Sequence, residues 1–503
     1  MKTRKFPRYI YNHTSLVGLV IAIIAGASIV LSLAFQASIG ETNPYMGILV
    51  YTVLPPFLFL GLTIIPIGIF RRWRRIKKHG DDVAPSWPYI DLAKNTHRNV
   101  VAAFLFSSVL FSIIAIFGGY RAFHYTESVE FCGTTCHTVM KPEYVAYQSS
   151  AHARVPCAAC HVGEGADFYA KSKLAGAYQV YAVATNLFPR PIPTPIKNLR
   201  PAQETCEHCH WPEKFFSGQQ HRYVHYMYDD ENTEWPINIM IKTGGGDPKT
   251  GQTAGIHWHM NIQVKVEYIA RDERRQDIPW IRIRDKKTGR VTTYQDTENP
   301  LTEEEIAHGE KRRMDCMDCH NRPSHKFRSP DYMVDRAILT DAIRSDLPGI
   351  KRIAVEAMNT IYETEEEATS GIAARILNAY RDEFPEALGQ RRADIDQAVL
   401  STQKVFNQSI FPEMKVRWED YPDNIGHLIF PGCMRCHDGN KKSDDGWVIT
   451  RDCKTCHSIL SQGTGDRAEM AITEDGLDFV HPEDIDEEWR DTGCYECHSG
   501  IQP

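Results

Sequence analysis

Every cysteine in this 503-residue sequence belongs to a pair that is followed directly by histidine. Six of the seven pairs read C-x-x-C-H, and the first, Phe131–His137 (FCGTTCH), has one extra residue between its cysteines. Two thiols at such a spacing add across the vinyl groups of a porphyrin, and the histidine that follows binds the iron. Neither disulfides nor zinc ribbons require a histidine directly after the second cysteine of each pair. The sequence therefore predicts seven covalently bound haem c groups.

These motifs assign both the covalent attachment points and the first iron ligand of each haem. The predicted attachment residues are Cys132, Cys136, Cys157, Cys160, Cys206, Cys209, Cys316, Cys319, Cys433, Cys436, Cys453, Cys456, Cys494 and Cys497. The histidines that follow them are His137, His161, His210, His320, His437, His457 and His498.

Three uncharged segments are long enough to cross a membrane as helices: Leu16–Phe35, Met46–Phe70 and Val100–Gly119. Four basic residues precede the first and eight lie between the second and third, whereas the first connection has none. The positive-inside rule places the N-terminus and the basic loop in the cytoplasm and everything after Gly119 outside. Haem c attachment also takes place on the outer side, so both arguments predict a multi-pass bacterial inner-membrane protein with a periplasmic haem domain. An uncleaved first helix is favoured over a cleaved signal peptide.

Charge restricts the partners. The chain has a formal charge of −7, and beyond residue 119 there are 45 basic against 60 acidic side chains, a formal −15. Haem propionates would make the domain more negative. Such a surface repels nucleic acid, which is excluded as a partner.

The predicted fold class is mainly α: a loop-rich multihaem domain packed around haem faces, with three N-terminal transmembrane helices and a small β insertion. Strand-like alternation occurs at Ile237–Ile241, Ile262–Tyr268, Trp280–Ile283 and Val291–Tyr294. The predicted regions are 1–98 with two transmembrane helices and the basic loop, 99–210 with the third helix and haems 1–3, 211–315 with the β insertion, 316–332 with haem 4, 333–420 as a helical spacer, and 421–503 with three haems.

Two further segments carry structural signals. Phe168–Leu187 has the apolar spacing of a helix that lies in the headgroup layer, and a run of prolines then ends it. Pro55, Pro56 and Pro66 predict a kink or a break in the second span.

Each iron needs a second axial ligand unless the site performs chemistry, and eleven further histidines lie on the periplasmic side. By spacing, His427 and His481 are candidates in the C-terminal region. In the β insertion, His221, His225, His257 and His259 are open alternatives, of which we select the last two. The remaining histidines, His124, His208 and His308, are interpreted as structural.

Several stretches resemble the NapC/NirT family of membrane-anchored quinol dehydrogenases: CGTTCHTVMKPEY and SSAHARVPCAACH after a membrane helix, then AGAYQVY, and later CMDCHNRPSH. The resemblance covers about residues 100–210 and 311–326. The whole chain, with three spans and seven haem motifs, is similar to an inner-membrane type of cytochrome from metal-respiring bacteria.

The resemblance implies ligands that spacing alone does not give. It implies Met140, or His137, on the first iron, His152 on the third opposite His210, and His325 on the second opposite His161. The family carries a Lys and an Asp at its quinol site. The matching positions here are Ser172, flanked by Lys171 and Lys173, and Gln179, which departs from the family pattern.

The implied function is oxidation of menaquinol, with electrons passed to periplasmic c-type cytochromes in anaerobic or metal respiration. The partners are then the membrane quinone pool, inner-membrane lipid and those cytochromes. Met140, Lys171, Lys173 and Gln179 are the candidate residues of the quinol site. Two alternatives stay open: a non-catalytic electron relay for a partner subunit, and a terminal multihaem reductase.

Overall fold

A computed structural model of the chain describes most of the region beyond residue 124. The described residues are 12–39, 54–79, 92–96, 98–99, 101–102, 105–106, 110, 121, 124–135, 137–163, 166–196, 200–211, 217–244 and 255–501. The chain divides into two compact units, one of residues 1–128 and 161–178, the other of 129–160 and 179–503.

In the first unit, two apolar helices, His13–Ile39 and Leu54–His79, are long enough to cross a membrane. They pack closely because small residues meet: a Cβ on Gly18 would lie 2.7 Å from the carbonyl oxygen of Gly61. The Ser15 hydroxyl donates to the carbonyl of Ile65 at 3.0 Å. Close backbone approach through small residues, with a side-chain hydrogen bond between helices, is typical of helix pairs in membranes.

The membrane predictions are met in part. The first two predicted spans correspond to these helices, and the second continues through Pro66 without the break that its prolines predicted. Pro55 lies in the first helical turn, where proline is tolerated. The third predicted span, 100–119, falls almost entirely outside the described residues.

The second unit contains two antiparallel sheets. One has the strand order β1-β2-β8-β9 and the other β6-β3-β4-β5-β7. The strands are β1 Gln219–Tyr226, β2 Glu234–Ile241, β3 Val264–Ile269, β4 Trp280–Asp285, β5 Val291–Asp296, β6 Arg312–Arg313, β7 Lys441–Ser443, β8 His457–Gln462 and β9 Glu469–Met470. All four predicted strands are present as β2 to β5.

The β structure is nevertheless larger than a small insertion. Strands β7, β8 and β9 come from the C-terminal region and complete both sheets, with Ile241 of β2 opposite His457 of β8. The predicted insertion therefore does not form a separate β domain, because its sheets pair with the C-terminal motif region.

Residues 330–409 form a helical block with its own apolar core. Ile372, Ile376 and Tyr380 recur every fourth residue and are fully buried, so one face of their helix packs against the neighbouring helices. This block therefore has an apolar core of its own, and packing around haem faces stays a prediction. Its helices are Pro330–Leu339, Ile350–Asn359, Glu365–Glu383, Pro385–Gln390 and Arg392–Ser409.

The remaining helices are short or lie near the motifs. Two of them, His137–Gln148 and Ala166–Ala184, follow the first and second motifs. The latter exposes Leu174, Tyr178 and Tyr181 at helical spacing, as the predicted interfacial helix requires. The others are Cys157–His161, Ala202–Thr205, Glu303–His308, Cys316–Cys319 and Cys494–Cys497.

Candidate haem sites

Several of the motifs form one helical turn. The histidine N–H donates to the carbonyl of the first cysteine of its own motif at 2.8 Å for His210, 2.7 Å for His320 and 2.8 Å for His498. Residues i, i+3 and i+4 of such a turn share one face, so both thiols and the imidazole point the same way. Apart from Cys132, which contacts Cys157, the cysteines whose side chains are described are free thiols. The motifs thus offer the donor set that a covalent haem requires.

Five of the seven motif histidines face a second histidine. Two imidazoles on opposite sides of one haem iron have ring centres about 6 Å apart, because each Fe–N bond is about 2 Å long and each ring centre lies about 1 Å beyond its bound nitrogen. The observed ring-centre separations are 5.9 Å for His152 and His210, 6.5 Å for His257 and His320, 6.0 Å for His259 and His437, 6.2 Å for His427 and His457, and 6.0 Å for His481 and His498. Each pair therefore fits a haem iron between its rings.

One short helix supplies a histidine to each of two facing pairs. His257 and His259 lie in the 3₁₀ segment Gly255–Met260, and they face His320 and His437 respectively. Their Nδ1 atoms lie 2.8 Å from the Thr243 carbonyl and 2.9 Å from the Ile256 carbonyl. A carbonyl at Nδ1 fixes the tautomer and directs Nε2 toward a metal.

The same arrangement recurs at three further histidines. Nδ1 lies 3.3 Å from the Pro323 carbonyl in His152, 3.0 Å from the Thr450 carbonyl in His437 and 3.0 Å from the Glu483 carbonyl in His481. These contacts hold the rings in place before any ligand binds.

His427 and His457 differ from these five histidines. Both Nδ1 atoms are buried and have no hydrogen-bond partner among the described residues. Burial also lowers the pKa of both histidines, and of His259 and His320. A lowered pKa keeps these imidazoles neutral near neutral pH, the form that binds a metal.

The motifs lie side by side in chain order. The thiols of Cys132 and Cys157 are in hydrogen-bond contact, which joins the first motif to the second. The other successive motifs approach through thiols close enough to influence one another's charge. These pairs are Cys160 with Cys209, Cys206 with Cys316, Cys319 with Cys433, Cys433 with Cys456, and Cys453 with Cys494. The described motif cysteines thus form one continuous row.

His325 lies in a charged pocket of the second unit. Its Nδ1 is 3.0 Å from the Glu143 carbonyl and 3.1 Å from the Glu143 carboxylate oxygen Oε2. The guanidinium of Arg322 is 3.6 Å from the same carboxylate and lies over the ring of Tyr421 at 4.4 Å. Of the two contacts that His325 Nδ1 makes with Glu143, only the one with the carbonyl has hydrogen-bond geometry. The carboxylate therefore acts on the imidazole through its charge.

The residues predicted for the quinol site are described less completely. Met140 is half-buried in the helix that starts at His137, and Gln179 is exposed. The ammonium group of Lys171 lies 5.6 Å from the ring centre of Phe168. The side chains of His137 and Lys173, and the whole of Cys136, lie outside the described residues.

Two of the four histidines predicted as alternatives in the β region have other contacts. His221 stacks on Tyr223 with ring centres 6.1 Å apart. His225 places Nδ1 3.4 Å from a carboxylate oxygen of Asp335. The Nδ1 of His308 lies 2.9 Å from the carbonyl of Glu304 in its own helix. Because strand β1 holds His221 and His225, neither is on the helix that supplies His257 and His259.

His225, Asp331 and Asp335 bring three potential metal-binding atoms together, but a lysine already neutralises them. The ammonium group of Lys351, whose side chain is 0% exposed, lies 2.7 Å from Asp331 Oδ1 and also contacts Asp335. The backbone N–H of Tyr226 in β1 donates to Asp335 at 3.1 Å. This cluster ties the helical block to the β1–β2 hairpin, and it acts as a structural ion pair.

Two comparisons with known proteins found relatives. Residues 94–191 match the family model described as the NapC/NirT cytochrome c family, N-terminal region. Over 498 residues, covering 99% of this chain and 97% of the relative, the chain is 44% identical to the cytochrome c-type protein ImcH of Geobacter sulfurreducens. No solved structure matches the chain.

Proposed function

Because this chain belongs to the NapC/NirT-related cytochromes c that include ImcH, we propose that it oxidises menaquinol at the inner membrane and delivers the electrons to periplasmic c-type cytochromes. Membership of a c-type cytochrome family implies covalently bound haem. When bound, the haems supply one-electron transfer between the two partners. The observation that carries the proposal is the continuous row of motif cysteines from Cys132 to Cys494.

Residues of this chain would hold the haems along this row and set their potentials. We propose that the cysteine motifs bind seven haems and that five irons lie between the facing histidine pairs. His325 would ligate the second iron opposite His161, and Met140, or His137, the first. The ring separations of about 6 Å support the five pairs. Ligation by histidine on both sides gives low potentials suited to electron transfer.

Lys171, Lys173 and Gln179 are proposed to line the quinol pocket. They belong to the helix Ala166–Ala184, whose exposed apolar side chains suit the membrane surface. A lysine ammonium beside the quinol can donate a hydrogen bond to a quinol oxygen, and its positive charge favours the anion that forms when that oxygen loses its proton to solvent. The two apolar helices and the basic residues around them support an inner-membrane location with the haem domain in the periplasm.

We expect the double variant Lys171→Gln/Lys173→Gln to lower the rate of menaquinol oxidation roughly 100-fold at neutral pH, because the two positive charges that favour deprotonation of the quinol are lost. The rate is followed as haem reduction after mixing the purified protein with a menaquinol analogue. Lys287→Gln, in an exposed turn, is the control. If both variants oxidise the quinol at the wild-type rate while dithionite reduces them fully, these lysines do not form the quinol site.

Glu143→Gln tests the proposed role of His325. A carboxylate beside an iron-ligating imidazole stabilises the oxidised iron, so its loss should raise the midpoint potential of one haem. We expect roughly 60 mV, since a unit charge this close to the imidazole, in a partly screened site, contributes on the order of 1–2 kcal/mol and a one-electron couple moves 59 mV per tenfold change. Glu365→Gln is the matched control. Glu365 pairs with Lys141, which lies on the same helix as Glu143. An unchanged spectropotentiometric titration for Glu143→Gln would remove His325 from the ligand set.

A further inference from the structure

We propose that electrons leave through the surface around the last cysteine motif, and that its occupant is a small soluble c-type cytochrome whose exposed haem edge is ringed by lysines. This inference rests on the proposed function. It adds the place of exit and the charge that the partner must present.

The surface adjoins the end of the row of motifs. His481 faces His498, and the segment 482–493 connects His481 to the cysteine that begins the last motif. Because both ends of this segment are held at the same pair of rings, its twelve residues must border that site. Phe479 packs against His481 and Trp489, with ring centres 6.2 and 5.4 Å apart, so the segment is anchored beside the pair.

Large apolar side chains are exposed in the segment that leads into this pair. Ile472 is 99% exposed, Met470 77% and Val480 44%. Strand β9 holds Met470 opposite Ser461 of β8, and the side chain of Gln462 accepts from the N–H of Val480 at 3.2 Å. The apolar residues on both sides of β8 are therefore fixed in place by hydrogen bonds. Exposed apolar side chains at one place on a soluble domain are a feature of binding surfaces.

The charge around these apolar side chains selects the partner. Residues 466–496 contain twelve acidic and two basic side chains, and all twelve acidic residues are exposed. Ion pairs within the described part of the chain engage only two of them, Asp478 with Lys454 at 3.0 Å and Glu487 with Arg490 at 2.9 Å. The surface therefore stays strongly negative. It attracts a lysine-rich partner and repels acidic proteins and anionic lipid.

A small apolar centre with a charged surround is also suited to the kinetics of electron delivery. Weak redox complexes bury little area and dissociate quickly, whereas complementary charge raises the association rate. A soluble carrier must bind, receive an electron and leave in every cycle. Tight apolar binding over a large area would hinder that release.

The test measures electron delivery separately from quinol oxidation. Full-length protein, pre-reduced with one equivalent of dithionite per haem, is mixed in a stopped-flow instrument with oxidised mitochondrial cytochrome c or with the same cytochrome succinylated on its lysines. We expect the native cytochrome to react roughly tenfold faster at low salt, and this difference to shrink as salt increases. Equal rates, or faster reaction with the succinylated form, would overturn the inference.

Two charge variants locate the surface. Glu483→Lys/Glu488→Lys changes exposed residues beside the last motif and should slow the reaction with native cytochrome c about tenfold at low salt. Glu366→Lys/Glu386→Lys makes the same change of charge on the helical block and should leave the rate within about twofold. Equal slowing by both pairs would show that net charge, and not this surface, governs delivery. Failure of menaquinol to reduce the protein would count only against the proposed function.

Discussion

His257→Met is expected to raise the midpoint potential of one haem by roughly 100–200 mV, and His259→Met that of a different haem, within the span of about 0.8 V that axial ligands set. The two histidines are separated by one residue, yet they face His320 and His437 at 6.5 and 6.0 Å. Methionine replaces an imidazole by a weaker thioether donor, which favours the reduced iron. Spectropotentiometric titration of each purified variant measures the shift.

The design contains its own controls. Trp258→Phe alters the residue between the two histidines and should leave all potentials unchanged, as should His308→Met at a helix-bound histidine. The double variant should shift two haems. If both single variants moved the same haem, or if neither produced a shift larger than that of Trp258→Phe, then these histidines do not ligate two separate irons.

Lys351→Met should destabilise the second unit by about 3–5 kcal/mol, because removing one partner of a buried ion pair leaves a buried charge unpaired. Lys351 is completely buried and lies against Asp331 and Asp335, and Asp335 also accepts from the N–H of Tyr226. Methionine has a similar volume, so the loss reflects charge and not a cavity. The measurement is the urea midpoint of the full-length protein, followed by far-ultraviolet circular dichroism.

The matched control for this variant is Arg392→Met. Arg392 pairs with Asp396 at 2.9 Å on an exposed helix face in the same block. Exposed pairs at this spacing contribute about 0.3–0.5 kcal/mol. A Lys351→Met protein that unfolds at the same urea concentration as Arg392→Met would show that the Lys351 cluster does not hold the helical block to the β1–β2 hairpin.

Local patterns were sufficient for much of the architecture. Cysteine spacing identifies the motifs because attachment needs only residues within one helical turn. Alternation identified β2 to β5, and helical periodicity identified the block that begins near Pro330. These features depend on neighbours in the sequence, so the sequence displays them directly.

Features that depend on distant residues were not predictable in the same way. Strand β1 was missed because Gln219–Tyr226 (QQHRYVHY) is mostly polar and has little alternation. Strands β7 to β9 are short and gain their order from partners far away in the chain, such as Ile241 opposite His457. The apolar core of the helical block was not expected either, since haem packing was assumed for the whole domain.

The candidate iron ligands also divide into those that local spacing predicts and those that only the fold identifies. Spacing placed His427 and His481 near their motifs, but it left four alternatives in the β region. The fold separates these, because β1 directs His225 toward Asp335 while the 3₁₀ segment directs His257 toward His320. The sequence pattern also does not predict that the Nδ1 atoms of His427 and His457 are buried.

An anaerobic titration with a menaquinol analogue shows whether this chain oxidises quinol by itself. The purified oxidised protein, held in lipid nanodiscs, is titrated while its haem α-band is recorded. The account predicts that quinol alone carries the band to the amplitude of seven haems, one for each cysteine motif, close to that produced by excess dithionite. A band that stays at the oxidised level with quinol, and rises only with dithionite, would contradict it.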